Sequence, residues 1–565
     1  MTAREQLAQF AAGSKALPRL CREYKKERAT VHLKELVGGA LSFYAAAAAA
    51  KTGGVHVFVA EDRDAAAYLM NDFYNLLDEK QVYFFPSSYK RSVAYGAEDA
   101  QGVVQRTAAM NAVKGFTKGY LIVCTYPEAL AERVADAETL RRDTIAVKVG
   151  DSISIAVLED ALVDANFTRV DFVYEPGQYS VRGGIVDVFS FSESKPYRID
   201  FFGDEVDSIR RFNISSQLSA DKLDRVEIIP NLNAGDGAAK VSFVQFAGDA
   251  AAYWFYDADY VLRRVNDIRR KTLADMERPE EIDRLMTSRN ALLGDLANCR
   301  MLALRDNLPE RPATAAVEFD TAPQPKFNKN FEMLADDMIR NSLRGYTTYI
   351  LSENKVQVER LENIFHQIGR GQAVVRPLSV TLHEGFVDND LKLCLYTDHQ
   401  IFDRYQRYRI NGEIRRDEQM TVAELNQLRP GDYVVHIDHG VGRFDGLVKI
   451  NENGKAHEAI KLVYKDGDVL FVNVHSLHRI SRYKSGDGEP PKVYKLGNGA
   501  WQKLKNATKK AVKDISRELI ALYAKRKASK GFAFTPDSYL QHELEASFQW
   551  EDTPDQQTTV AAVKK

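Results

Sequence analysis

Two hydrophobic periods alternate along the first part of the chain. Val55-His-Val-Phe-Val-Ala60 and Tyr120-Leu-Ile-Val-Cys-Thr125 are short, nearly continuous apolar runs, the pattern of strands buried on both faces of a parallel sheet. Asp64 to Leu77 and Asp99 to Val113 have a helical character, which predicts crossover helices. The longest apolar stretch, Gly38 to Ala50, is closed by Lys51. It falls short of the roughly 20 residues of a membrane span and predicts a buried helix. Near Val149 the pattern becomes short alternating segments with Gly turns: Tyr179-Ser-Val, Gly184-Ile-Val-Asp-Val-Phe189 and Tyr197-Arg-Ile-Asp-Phe-Phe202. These predict a small β-rich unit.

After Pro230 helices return, and Glu277-Arg-Pro-Glu-Glu281 opens a helical run. Pro312 to Pro325 holds several prolines, few charges and no period, which predicts a linker. A second small α/β unit follows from about Phe327 to Ile410. Its expected elements are helices over Asn330–Arg344 and Val356–Gly369 and strands over Thr347–Ser352 and Leu391–Tyr396. Thr421 to Leu428 reads as a short capped helix. From Gly431 to Ile480, turns at Asp445-Gly446, Asn453-Gly454 and Asp466-Gly467 punctuate β segments, as in a five-stranded small barrel. Asn498 to Lys530 reads as one long basic helix whose apolar positions, from Trp501 and Leu504 to Leu519 and Leu522, keep three- and four-residue steps.

At 565 residues the chain exceeds one compact domain. With 77 Lys and Arg against 79 Asp and Glu, no global positive field draws it to DNA. A nucleic-acid role then rests on local patches or on residues outside this sequence. Cys21, Cys124, Cys299 and Cys394 are widely spaced, with no zinc-ligand pair, and are expected to be reduced core thiols. Met1 to Tyr24 lacks the apolar core of a signal peptide, so the cytoplasm is the expected location, with no membrane partner.

The chemical motifs are few. Leu36-Val-Gly-Gly-Ala-Leu-Ser-Phe43 stands where a nucleotide-binding loop would lie, but Ala40 and Leu41 replace the glycine and lysine that such a loop needs. It reads as a degenerate loop that serves the fold. His436 and His439 flank Asp438, yet the segment reads as a strand entering a turn, where neighbours alternate faces. They are expected to be turn histidines, with no metal. Glu543, Glu545 and Glu551 read as a solvated helix face. No nucleophile–base pair stands out, so no catalytic residue and no cofactor is expected in this stretch.

Four stretches resemble the N-terminal half of the bacterial transcription-repair coupling factor family (Mfd). Glu175-Pro-Gly-Gln-Tyr-Ser-Val-Arg-Gly-Gly-Ile-Val-Asp-Val-Phe189, with Pro196-Tyr-Arg-Ile-Asp-Phe-Phe-Gly-Asp-Glu-Val-Asp-Ser-Ile209, is similar to the domain that this family shares with UvrB and uses to grip UvrA. The resemblance places UvrA contacts on Arg182, Arg198 and Phe202; two arginine forks and an exposed aromatic make a typical hot spot. Val82-Tyr-Phe-Phe-Pro-Ser through Cys124-Thr-Tyr-Pro-Glu-Ala-Leu130 is similar to the same UvrB-like core, with only a short connection where UvrB carries a DNA-inserting hairpin.

Leu428-Arg-Pro-Gly-Asp-Tyr-Val-Val-His-Ile-Asp-His-Gly-Val-Gly-Arg-Phe-Asp-Gly-Leu447, continuing to Tyr464 and to Leu477-His-Arg-Ile-Ser-Arg-Tyr483, resembles the polymerase-interacting barrel shared with CarD regulators. The resemblance implies docking on the RNA polymerase β subunit through an edge strand at Leu447, Val448, Lys449 and Ile450, with Val448 and Ile450 on one face. Phe548-Gln-Trp-Glu-Asp-Thr-Pro-Asp-Gln-Gln557 is similar to the motif preceding the family's motor, which places adenine contacts on Phe548 and Gln556. ATP, magnesium and most DNA contact are then expected of the intact family protein, and its motor is expected to lie beyond Lys565.

The expected fold class is α/β multidomain. Residues 1–145 form the first part of a UvrB-like degenerate P-loop α/β domain, 146–230 an inserted UvrA-binding β-rich domain, and 231–325 the second part and a linker. Residues 326–415 form a small α/β domain of unknown function, and 420–485 an SH3/Tudor-like barrel. Residues 486–535 hold the long linker helix, and 536–565 the start of a motor. The expected function is that of an adaptor which binds polymerase and recruits UvrA. The alternatives are a CarD-type polymerase regulator and a UvrB-like ATP-dependent repair enzyme.

Overall fold

A computed structural model describes residues 2–404 apart from 90–97, 215–216, 233–238, 277 and 308–310. Beyond these it describes 428–436, 439–452, 455–473, 480–483 and scattered positions to 564. The short helix expected over Thr421–Leu428 and the basic helix over Asn498–Lys530 fall mostly outside the described residues. The fold is mixed α/β, with one parallel sheet and several β-rich sheets. The chain divides into two compact units: 1–140 with 232–412 and 536–565, and 141–231 with 413–535.

The first unit is built on a seven-stranded sheet. Its order is Ala315–Glu318, Thr30–Lys34, Arg300–Ala303, Ala252–Phe255, Gly54–Val59, Tyr120–Thr125, Val82–Phe84, and every pairing is parallel. Burial on both faces selects the continuous apolar runs seen in Gly54–Val59 and Tyr120–Thr125. The alanine-rich helix Ala40–Thr52 is buried on nearly every side, which accounts for a sequence without an amphipathic stripe. Val82–Phe84 lies beside Tyr120–Thr125. Buried Arg106 binds the carbonyls of Pro86 and Ala129 at 2.8 and 3.0 Å, tying the segments that follow these two strands.

The same unit holds a five-stranded sheet in the order Thr321–Pro323, Phe386–Asp388, Leu393–Thr397, Thr347–Leu351, Pro377–Leu378. Helices Phe331–Leu343 and Lys355–Gln367 pack on it through Leu334, Met338, Leu361 and Ile364.

Two expectations are corrected here. The proline-rich stretch is not a free linker: Ala315–Glu318 is the margin of the parallel sheet and Thr321–Pro323 the margin of the five-stranded one. Short margin strands tolerate proline because one row of their amides pairs with nothing, so composition alone reads as loop. The run opening at Glu277 is broken as well, into a 3₁₀ turn at Pro279–Glu281, one helical turn at Ile282–Leu285 and the separate helix Arg289–Leu296. Met286 turns extended to bridge Glu132, and the Ser288 side chain caps the next helix.

In the second unit a six-stranded sheet runs Ser219–Leu223, Glu205–Phe212, Tyr197–Phe202, Ile185–Val188, Gln178–Arg182, Thr168–Arg169. One face buries Val186, Ile199 and Ile209 against Leu158 and Leu162 of helix Ile155–Asp164. A five-stranded sheet, ordered Val469–Asn473, Lys455–Val463, Gly440–Glu452, Tyr433–His436, Ile480–Arg482, occupies the segment expected to form a small barrel. Its core of Val434, Phe444, Ile460 and Leu462 also takes in Phe172 from the β-rich domain.

Candidate docking surfaces

The hairpin Tyr197–Phe202/Glu205–Phe212 closes through Gly203 and Asp204. Gly203 has φ +64°, a conformation open to glycine at little cost and suited to a two-residue hairpin turn. A register shift at Asp200/Phe201 is a β-bulge, which re-aims the strand end. Phe202 stands at this tip 84 % exposed, far outside the ordinary range for an aromatic.

Arg198 is placed differently from Phe202. It is buried and clamps Asp187 with two hydrogen bonds, Nε to Oδ1 at 2.7 Å and Nη2 to Oδ2 at 2.8 Å. Its third nitrogen donates to the Gln217 carbonyl at 3.1 Å, and its guanidinium covers Phe212 at 4.4 Å. Arg182, half-buried, pairs with the same Asp187 and lies over Phe172. Cross-strand register aligns Ser180, Asp187, Arg198 and Arg210 in one row. Asp187 is 1 % exposed, and such a charge is tolerable only because both guanidinia reach it. The structure thus brings Arg182 and Arg198 together on one carboxylate and sets Phe202 apart at the hairpin tip. Sequence reasoning missed Asp187 and Gln217. The available signal was an acid inside the alternating run Ile185-Val-Asp-Val188, one strand away from Arg198.

In this five-stranded sheet, strand Gly440–Glu452 pairs with Tyr433–His436 only through Gly440 to Arg443 among the described residues. Leu447, Val448, Lys449 and Ile450 pair with Ile460, Ala459, Glu458 and His457 on one side. Among the described residues no strand pairs on their other side. That flank therefore offers main-chain donors and acceptors to an added strand. The terminal strand of the sheet adds two exposed apolar side chains, Val469 and Phe471, that sequence reasoning did not single out. His436 and His439 meet ring to ring at 4.8 Å, with His436 buried. No metal cluster is found among the described residues. All four cysteines are free thiols, three of them buried.

The loop at Leu36–Phe43 does precede a helix, but its residues do not fit a triphosphate. Glu384 approaches it so closely that a Cβ on Gly39 would lie 2.1 Å from the Glu384 carbonyl oxygen. The cavity beside it, about 320 Å³, is bounded in part by Glu61 and Glu384, whose carboxylates disfavour an anion. Phe548 is exposed, and Gln556 lies exposed on helix Pro554–Lys564. No helix among the described residues is long and apolar enough to cross a membrane.

Comparison with known proteins finds matches for two segments of the chain. Residues 145–233 match the UvrB interaction domain family, and residues 428–484 match the CarD-like/TRCF RID domain family. Transcription-repair-coupling factor of Bacillus subtilis is 25% identical over 618 residues, covering 94% of this chain and 52% of that protein. The Staphylococcus haemolyticus protein of the same name is 26% identical, covering 88% of this chain and 49% of its own length. Two segments of this chain are thus similar to the UvrB interaction and CarD-like/TRCF RID domains, and along nearly all its length it is similar to transcription-repair-coupling factors while spanning about half the length of the curated relatives it matches.

Proposed function

We propose that this chain is the docking half of a transcription-repair coupling factor, working in the cytoplasm. The β-rich domain recruits UvrA and the barrel holds the RNA polymerase β subunit. Phe202 is the anchor that enters a pocket on UvrA, and Arg182 and Arg198 act with Asp187 as the rigid base that aims it. In the barrel, the free flank of Leu447–Ile450 takes up a strand of the polymerase β subunit. ATP, magnesium, DNA translocation and the main DNA contact are those of the intact family protein, and Phe548 and Gln556 of this chain supply one side of its adenine site. The observation that carries the reading is an aromatic 84 % exposed at the tip of a hairpin, on the strand that also carries the buried Arg198 paired with Asp187, inside the segment that matches the UvrB interaction domain.

The test is a UvrA binding isotherm for this chain beside Phe202→Ala, repeated with polymerase β subunit present. Saturable binding by the parent, lost in the variant and compatible with bound β subunit, is expected. Binding by neither, or equal binding by both, overturns the assignment of the UvrA surface.

A further inference from the structure

The helix-entry loop between strand Thr30–Lys34 and helix Ala40–Thr52 is a site whose ligand is already present within the chain. Segment 381–385 of the small α/β domain is pinned across it from both ends. Asn75 Nδ2 donates to the Thr381 carbonyl at 2.9 Å. The His383 amide donates to Asp72 Oδ1 at 2.6 Å, and Ser42 Oγ donates to the other oxygen of that carboxyl group at 2.8 Å. The His383 ring stacks on Tyr68 at 3.9 Å. From the far side, His399 Nε2 meets the His383 carbonyl at 2.8 Å, and the Gly385 amide donates to Gln400 Oε1 at 2.7 Å.

The fit at the loop itself is steric. The Glu384 carbonyl lies so near Gly39 that no side chain is tolerated there, and a Cβ on Gly38 would meet the Gly385 carbonyl at 3.1 Å and Glu384 Oε2 at 3.2 Å. Gly38 adopts φ +56°. The oxygens packed against these two glycines are peptide carbonyls of Glu384 and Gly385 and the Glu384 carboxylate, all of the same chain.

We infer that the degenerate phosphate cradle is a receptor for the chain's own Leu382–Gly385 segment. A peptide has replaced a phosphate as its ligand. The small α/β domain thereby acts as a lock that closes the cradle to nucleotides and fastens the five-stranded sheet to the parallel one.

Hydrogen exchange on the whole chain tests this. In Gly39→Ala, the amides of 381–385 and of 36–42 exchange about tenfold faster or more, because the segment is expelled. Gly294→Ala, where an added Cβ meets nothing within 4 Å, leaves both stretches at parent rates. His383→Ala removes the ring that Tyr68 stacks on without adding bulk, and it gives the same acceleration should Gly39→Ala fail to fold. Millimolar magnesium–ATP added to the parent changes neither stretch. Parent-like exchange in the folded Gly39→Ala or His383→Ala chain overturns the inference. So does slowed exchange at 36–42, or release of 381–385, on adding ATP to the parent.

Discussion

The guanidinium carbon of Arg182 stands 4.6 Å from the centre of the Phe172 ring, and that ring belongs to the same apolar cluster as Leu428, Val434 and Phe444. One aromatic side chain therefore sits under an arginine of the proposed UvrA surface and inside the core of the proposed polymerase-docking domain. Truncating it is expected to loosen both. Phe172→Ala should cost about 3–5 kcal/mol, the usual penalty for emptying a core aromatic site. It should lower the thermal midpoint and weaken UvrA and polymerase β binding together. If only one of the two binding activities falls, the ring is not a shared support.

Asp187 is the acid on which two arginines depend. Removing one member of a buried pair leaves uncompensated charge, at a cost of about 3–5 kcal/mol. Asp187→Ala is expected to show this in urea unfolding, and Arg198→Ala likewise. Loss of UvrA binding in either variant would then report a collapsed base, so neither is a clean probe of contact.

Phe202 is the clean probe. At 84 % exposure it contributes little to the fold, and Phe202→Ala should alter stability by no more than about 0.5 kcal/mol. As a hot-spot anchor it should cost about 2 kcal/mol of UvrA affinity, or roughly thirtyfold in Kd. An unchanged isotherm would move the interface elsewhere on the domain.

For the proposed polymerase-docking strand, Ile450→Arg is expected to weaken binding to the polymerase β subunit by about thirtyfold, since it sets a charge in an apolar contact. Lys449→Ala should act mainly on the association rate and its salt dependence. Equal affinity for parent and Ile450→Arg, measured by surface-immobilised β subunit, would remove Leu447–Ile450 from the contact.

The carboxyl group of Asp72 gives a pH prediction. Burial pushes its pKa up to about 7, against the hydrogen bonds from Ser42 and the His383 amide, which lower it. The folded chain thus keeps a proton that the unfolded chain releases near the ordinary aspartate value, about 3.9. The native state binds more protons across that interval, so stability falls as pH rises from about 4 to about 7 and is flat beyond. Asp72→Asn should remove this slope from thermal midpoints measured across the window. A slope identical in parent and variant would assign it to other groups.

Much of the fold was legible because local pattern and tertiary environment agree. Tyr120–Thr125 and Tyr197–Phe202 carry in sequence the ends they have in the structure, the first as a doubly buried run and the second as an alternating hairpin arm. The helices Phe331–Leu343 and Lys355–Gln367 follow their apolar spacing to within two residues. What escaped reading depends on partners far away in the chain. Asp187 is an ordinary surface-type residue until Arg182 and Arg198 fold over it. Glu384 reaches Gly39 across more than three hundred residues, and nothing in either neighbourhood announces the other. Met286 leaves its helix for a bridge to Glu132, which no propensity predicts.

The proline-rich passage has a practical corollary. Only Phe319 and Asp320 separate two margin strands, and both are held: the Phe319 amide by the Lys34 carbonyl at 3.0 Å, and Asp320 by Asn389 through backbone and side chain at 2.9 and 2.7 Å. The passage is a seam that stitches two sheets. A gene cut placed among its prolines, where a boundary seems safest, would strip an edge from each neighbour and leave two frayed halves.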